Sequence, residues 1–282
     1  MKQILYLCAL TLLFTFLGGC DSNSETNSGH SATPSPANNN AFPPAEAEKL
    51  LQRLATQDGC KDSTADLRLS FTDAEGKPQQ MDFRLQRKYE PGKVSTLMTV
   101  LAPPEESEKA LSAIQEDGKP TSAISYLAGL KKVTQLKSDN PLNFRGSKST
   151  VQEMLGMELG EYEIVAATVA NGVLLMELKA QNGLSLPFPR IDVTFAESDR
   201  KPVKFELYDA RKEKVKTIQA TEVKAVQNYQ TITKMDIEDH RNNLKLKLET
   251  RNIKYDTNLP ASLFTEANLI KNVTAASQKQ IQ

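Results

Sequence analysis

The sequence has no tryptophan and two histidines, and aromatic residues make up 6% of it. So few aromatic faces disfavour a platform that stacks nucleobases or sugar rings. His30 sits in a polar tract near the N-terminus, and His240 in the polar segment 236–243. That second segment could hold an acid/base or divalent-metal cluster, but it reads better as a solvated connection between two strands. No HExxH, GxSxG, P-loop or paired CxxC motif is present. A carboxylate-based hydrolase needs a distinctive acidic pair, and no spacing singles one out. No catalytic residue, metal ligand or cofactor is therefore assigned. Basic and acidic residues balance at 35 each. Without a strong global field, no nucleic-acid partner is expected.

Cysteine is scarce too. Cys8 lies in an apolar leader, Cys20 follows it directly, and once the leader is removed and Cys20 acylated no second cysteine remains to form a disulfide with Cys60. The fold must then stand without disulfides, and Cys60 reads as a small buried hydrophobe.

The leader is the most informative stretch. Lys2 is the only charge before Asp21, and Ile4 to Leu17 is apolar apart from Thr11 and Thr15. That run is short for a membrane span, which needs roughly 20 residues, and has the size of a secretory h-region. It ends in Leu17-Gly18-Gly19-Cys20, which resembles the bacterial lipobox. The resemblance implies cleavage after Gly19 and acylation of Cys20. The membrane, gripped through covalent lipid, is thus the first expected partner. Asp21, next to the lipidated residue, resembles the signal that retains lipoproteins in the inner membrane. An outer-membrane location stays open, and either way the chain would face the periplasm.

Residues 20–43 are rich in Ser, Asn, Thr, Pro and Ala and are expected to form a disordered linker. A folded domain is expected over 44–271, followed by a disordered tail at 272–282. Ala47, Leu50, Leu51 and Leu54 recur at helical spacing, so a helix should run from near Pro44 toward Gly59. Beyond it the period changes to two. Leu67, Leu69 and Phe71 alternate with polar residues, as do Met81, Phe83 and Leu85, and then Leu244, Leu246 and Leu248. About a dozen such segments are separated by turn signals, Asn171-Gly172 being the strongest. The fold class read from this is mainly β, a strongly curved antiparallel sheet with a dry and a wet face. Few helices are available to cover it: the one near Leu50 and a short one at Val151, Met154 and Leu155. Met154, Met157 and Met176 could line an adaptable pocket or fill the core. Lys131-Lys132 and Arg211–Lys214 read as solvated turns or a blunted edge.

Certain segments together resemble a known family. They are Tyr126-Leu127-Ala128-Gly129-Leu130-Lys131-Lys132-Val133, then Asn143-Phe144-Arg145-Gly146-Ser147 and Val151–Leu155, then Leu259-Pro260-Ala261-Ser262-Leu263-Phe264 through Leu269. Their succession is similar to the outer-membrane lipoprotein-sorting-protein-like family, which includes the LolA and LolB carriers. The resemblance covers about Pro44 to Leu269. It implies an unclosed β-barrel with helices in its mouth, and acyl chains or lipoprotein as ligand. Lys148-Ser149-Thr150 departs from the acidic and aromatic stretch usual at that point. The candidate lid and pocket residues are then Leu50, Leu51, Leu54, Val151, Met154 and Leu155. Three functions stay open. One is non-enzymatic lipid or lipoprotein binding and transfer. Another is a module that docks a membrane-protein partner without lipid. The third is a lipid hydrolase.

Overall fold

The structure, a computed structural model, describes residues 15–16, 40–55, 59–73, 76–107, 109–116, 119, 121–137, 140–142, 149–151, 155, 159–184 and 186–278. In chain order the strands are β1 (Thr15–Phe16), β2 (Asn40–Ala41), β3 (Asp62–Thr72), β4 (Pro78–Glu90), β5 (Lys93–Ala102), β6 (Lys109–Glu116), β7 (Ser122–Leu127), β8 (Lys132–Leu136), β9 (Pro141–Leu142), β10 (Ser149–Thr150), β11 (Tyr162–Ala170), β12 (Val173–Ala180), β13 (Arg190–Phe195), β14 (Pro202–Tyr208), β15 (Lys214–Val226), β16 (Tyr229–Asp239) and β17 (Leu244–Tyr255). The helices are α1 (Pro44–Ala55) and α2 (Glu266–Gln278).

The alternation of apolar and polar residues builds one sheet of fifteen strands, ordered β2-β11-β12-β13-β14-β15-β16-β17-β3-β4-β5-β6-β7-β8, with the two-residue β1 beside β16. Every pairing in it is antiparallel. Two meanders, β11–β17 and β3–β8, are joined where the last strand pairs with β3. β2 and β8, at the two ends of the order, do not pair, so the sheet is unclosed. The mainly β, curved architecture expected from the sequence is the one observed.

Register explains where the core sits. Side chains directly opposite each other share a face. Leu246 opposes Ile237, which opposes Ile218, then Phe205, Val193, Met176 and Ala167. One apolar row thus crosses seven strands. A parallel row runs from Ala65 through Leu85 and Met98 to Leu111. Residues from β12 at one end of the order and β6 and β7 at the other belong to the same buried cluster, together with α1. Strands so far apart in the sheet meet only because it curls around this face, which is the concave one.

The outer face of β5–β7 has a separate cover. Leu97, Ala110 and Tyr126 pack there against Phe264, Leu269 and Val273, and Ser112 donates to the Phe264 carbonyl at 2.7 Å. β5 and β6 are therefore buried on both faces, which accounts for their nearly continuous burial. This second cover differs from the expected one. The domain boundary drawn at 271 falls inside α2, which continues to Gln278 because Leu269, Ile270 and Val273 extend its apolar stripe over β5–β7. Order also starts ahead of Pro44: Asn40 and Ala41 pair with Val169 and Thr168. The first half of the segment read as a polar connection is strand, since β16 runs to Asp239 with Ile237 continuing the inward row of Met235, and 240–243 form the turn to β17. β8 begins at Lys132, after Ala128–Leu130 forms a 3-10 turn and Lys131 takes φ 49°.

Polar residues between the apolar rows make an ion-pair ladder outside β17, β3 and β4. Arg68 grips Asp82 through two nitrogens at 2.9 and 2.8 Å, Arg84 grips Asp66 at 2.9 and 3.2 Å, and Asn252 adds a bond of 2.8 Å to Asp66. For Asp66, burial opposes the charged form, but the bonds from Arg84 and Asn252 outweigh it and hold the carboxyl below its usual range. For Asp82 the Arg68 hydrogen bond dominates in the same direction. A carboxylate depressed in the folded state stabilises the fold above its unfolded pKa and loses that contribution as pH falls through the folded value. Stability should thus be flat from neutrality to about pH 4 and fall below it. In Asp82→Asn the acid limb of a urea-midpoint titration should be shallower. Its neutral-pH stability should drop by about 1 kcal/mol, a size discounted for the part-exposed Arg68.

Candidate functional site

The concave face is lidded rather than closed on itself. Ala47, Leu51 and Leu54 of α1 are buried in the cluster that lines it. Proline at the first position of α1 and Glu46 in its first turn suit a helix start. The helix packs against the turn at Leu159–Glu161 and against β11. Leu50 is half-buried on the rim of the same cluster. Val151 and Leu155, both helical, are fully buried in it, as is Leu159. Five of the six lid residues expected from the sequence therefore converge on the concave face. Met154, with Met157, lies outside the described residues, as do Gly19, Cys20 and Asp21. Met176 is buried in the apolar row.

One end of the face is polar. Following β4 inward, Met81, Phe83 and Leu85 are succeeded by Arg87, which is 4% exposed. Arg87 opposes Ser63 on β3 and Thr96 on β5, both buried, and Ser63 opposes Tyr255. The Tyr255 hydroxyl lies 2.8 Å from the Thr231 hydroxyl. A guanidinium nitrogen of Arg87 donates to the main-chain carbonyl of Leu155, linking the floor of the sheet to the lid. Its Nε has no hydrogen-bond partner among the described residues. Burial pushes Tyr89 up to about 12 and raises Tyr255 as well, so these phenols stay neutral and offer hydroxyls rather than charge. Cys60, beside them, is buried as a small apolar side chain would be.

The concave face is thus a long, packed apolar surface with one polar end carrying a cation. Among the described residues, no group of three or more His, Cys, Asp or Glu comes together as a metal site would need. His240 Nε2 lies 2.9 Å from the Thr217 hydroxyl at the end of β16. Arg87 is the residue that sequence reasoning missed. Its signal was parity, since it follows Met81, Phe83 and Leu85 at every second position.

A family model described as "Uncharacterized protein" matches residues 92–271, most of the sheet and the start of α2. The chain belongs to that family. No curated protein matches it. Three solved structures share its fold. A DUF1329 family protein from Desulfovibrio piger is 17% identical, with TM-score 0.70 over 81% of this chain and 100% of that one. A putative outer membrane lipoprotein-sorting protein domain from Vibrio parahaemolyticus is 22% identical, with TM-score 0.68 over 79% and 99%. A LolA superfamily protein from Nitrosomonas europaea is 13% identical, with TM-score 0.61 over 78% and 98%. At these identities the likeness is one of fold alone.

Proposed function

We propose that this chain is a membrane-anchored lipid- or lipoprotein-binding protein that performs no chemistry and holds acyl chains against the concave face. The observation that carries the reading is the continuous apolar row of an unclosed sheet, covered by a helix instead of a second sheet. The shared fold of the Vibrio parahaemolyticus protein, a putative outer membrane lipoprotein-sorting protein domain, supports it. Cys20 would carry the lipid after cleavage at Gly19, and Asp21 would favour the inner membrane, with the domain facing the periplasm. Among the described residues no helix is long and apolar enough to cross a membrane.

Transfer would proceed by burial. A sixteen-carbon chain leaving water gains on the order of 12 kcal/mol at about 0.8 per methylene. Swinging α1 away exposes Leu51 and Leu54, at a cost of about 1.5–3 kcal/mol each. The ligand's gain exceeds that cost, so a lid built this way opens for a long chain and stays shut against short ones.

The test is titration of a fluorescent fatty acid into wild type, Leu50→Asp and Leu54→Asp, with circular dichroism to show that each variant is folded. A carboxylate in the lid disfavours an apolar site, and binding should weaken at least tenfold in both. Failure of wild type to bind, or undiminished binding by both folded variants, would return the chain to the docking-module reading.

A further inference from the structure

The hairpin β11–β12 carries apolar side chains on both faces, yet among the described residues only its inner face is covered. Inward, Leu174, Met176 and Leu178 are fully buried. Outward, Leu175 is 42% exposed, Val173 39% and Val165 54%. Register gathers them: Thr168 opposes Leu175, Ala170 opposes Val173, and the bulge between Ile164 and Ala166 leaves Val165 beside Ala166, opposite Glu177. β5–β6 meets the same need with α2 on its outside, whereas among the described residues no helix packs on the outside of β11–β12.

Two observations decide what covers this patch. The first is where the chain enters the fold. Asn40 pairs with Val169 on β11, and the Phe42 N–H donates to the Ala167 carbonyl at 2.9 Å. Residues 21–39 are all that separate Cys20 from this hairpin. A lipid on Cys20 would therefore tether the domain through its β2–β11 edge, beside the β11–β12 hairpin. The second is size. A stable protein dimer buries roughly 800 Å² on each partner, far more than three aliphatic side chains and two alanines provide. β2 already occupies the β11 backbone edge at Thr168 and Val169, and the Val165 bulge interrupts the rest, which works against strand addition. The rim is charge-balanced, with Arg190 paired to Glu177 at 3.0 Å and Asp192 at 2.8 Å, so it selects for no headgroup charge.

We propose that the outer face of β11–β12, through Val165, Val173 and Leu175, rests in the apolar surface layer of the membrane that carries the lipid anchor. This inference rests on the anchored reading above. It adds an orientation: the edge of the trough beside β2 faces the bilayer, where acyl chains enter and leave.

The absence of tryptophan makes the test clean. Leu175→Trp and Val165→Trp, made separately in the palmitate-labelled protein, give one fluorophore each, and Lys247→Trp on β17 is the control. Each is mixed with phosphatidylcholine vesicles with and without brominated acyl chains. The expected result is a blue-shifted emission at 175 and 165, quenched by at least half with brominated lipid, and an unquenched emission at 247. Emission at 175 and 165 as unquenched as at 247 would overturn the proposal. Palmitate incorporation, read on the same preparations, reports the anchor separately. Labelled protein without quenching refutes the patch and leaves the anchor standing. Quenching without label sustains the patch and refutes the anchor.

Discussion

Replacing Phe205 by alanine is expected to lower the unfolding free energy by about 3–5 kcal/mol. Phe205 is 2% exposed and stands midway along the apolar row, between Ile218 on one side and Val193 on the other. Its ring is flanked by strands that hydrogen-bond to both neighbours, so the backbone cannot close the gap and a cavity persists. The measurement is a urea transition at neutral pH. The midpoint should fall while the slope stays unchanged, because the extent of the fold is the same. A loss below about 1 kcal/mol would mean that the concave face is loosely filled at its centre, contrary to the packed row described above.

The second large effect is expected in kinetics, from Arg87→Met. Methionine keeps the apolar stem but removes the donor to the Leu155 carbonyl. Leu155 is 1% exposed, so its orphaned carbonyl bears a desolvation cost of about 1–3 kcal/mol. That cost is relieved only when the lid segment lifts. Opening should become about tenfold or more easier, since each 1.4 kcal/mol corresponds to a factor of ten. Stopped-flow mixing with the fluorescent fatty acid should show association accelerated by that factor. Amide exchange at Val151 and Leu155 should speed up in parallel, while exchange at Phe205 stays as in wild type. An association rate equal to wild type would show that the Arg87 contact does not gate the trough.

Much of this could be read from residue order, and what could not has identifiable causes. The period-two pattern located nearly every long strand, and the Asn171-Gly172 turn is a hairpin turn with both residues at positive φ, 51° and 80°. The lid leucines were legible because α1 has one apolar stripe. Arg87 was not, because a strand's inward positions were judged by hydrophobicity, and a buried cation breaks that rule while keeping the parity. β16 was cut short for a similar reason: Asp236, Glu238 and Asp239 look like a loop until their cross-strand partners are known. α2 was missed as a cover because its stripe of Leu269, Ile270 and Val273 is short, and its target, the outer face of β5–β7, lies about 150 residues earlier in the chain. Local periodicity identifies an amphipathic segment, and long-range register decides where it docks.

That separation has a consequence for how the chain matures. β5 and β6 leave the ribosome long before α2 does, so Leu97 and Ala110 wait uncovered until α2 has emerged. Two adjacent strands that are apolar on both sides, with one side still bare, are a template for self-association. A nascent chain of this design benefits from a holding factor until α2 arrives. A chain shortened after β17 would carry the whole concave face and still be prone to precipitate.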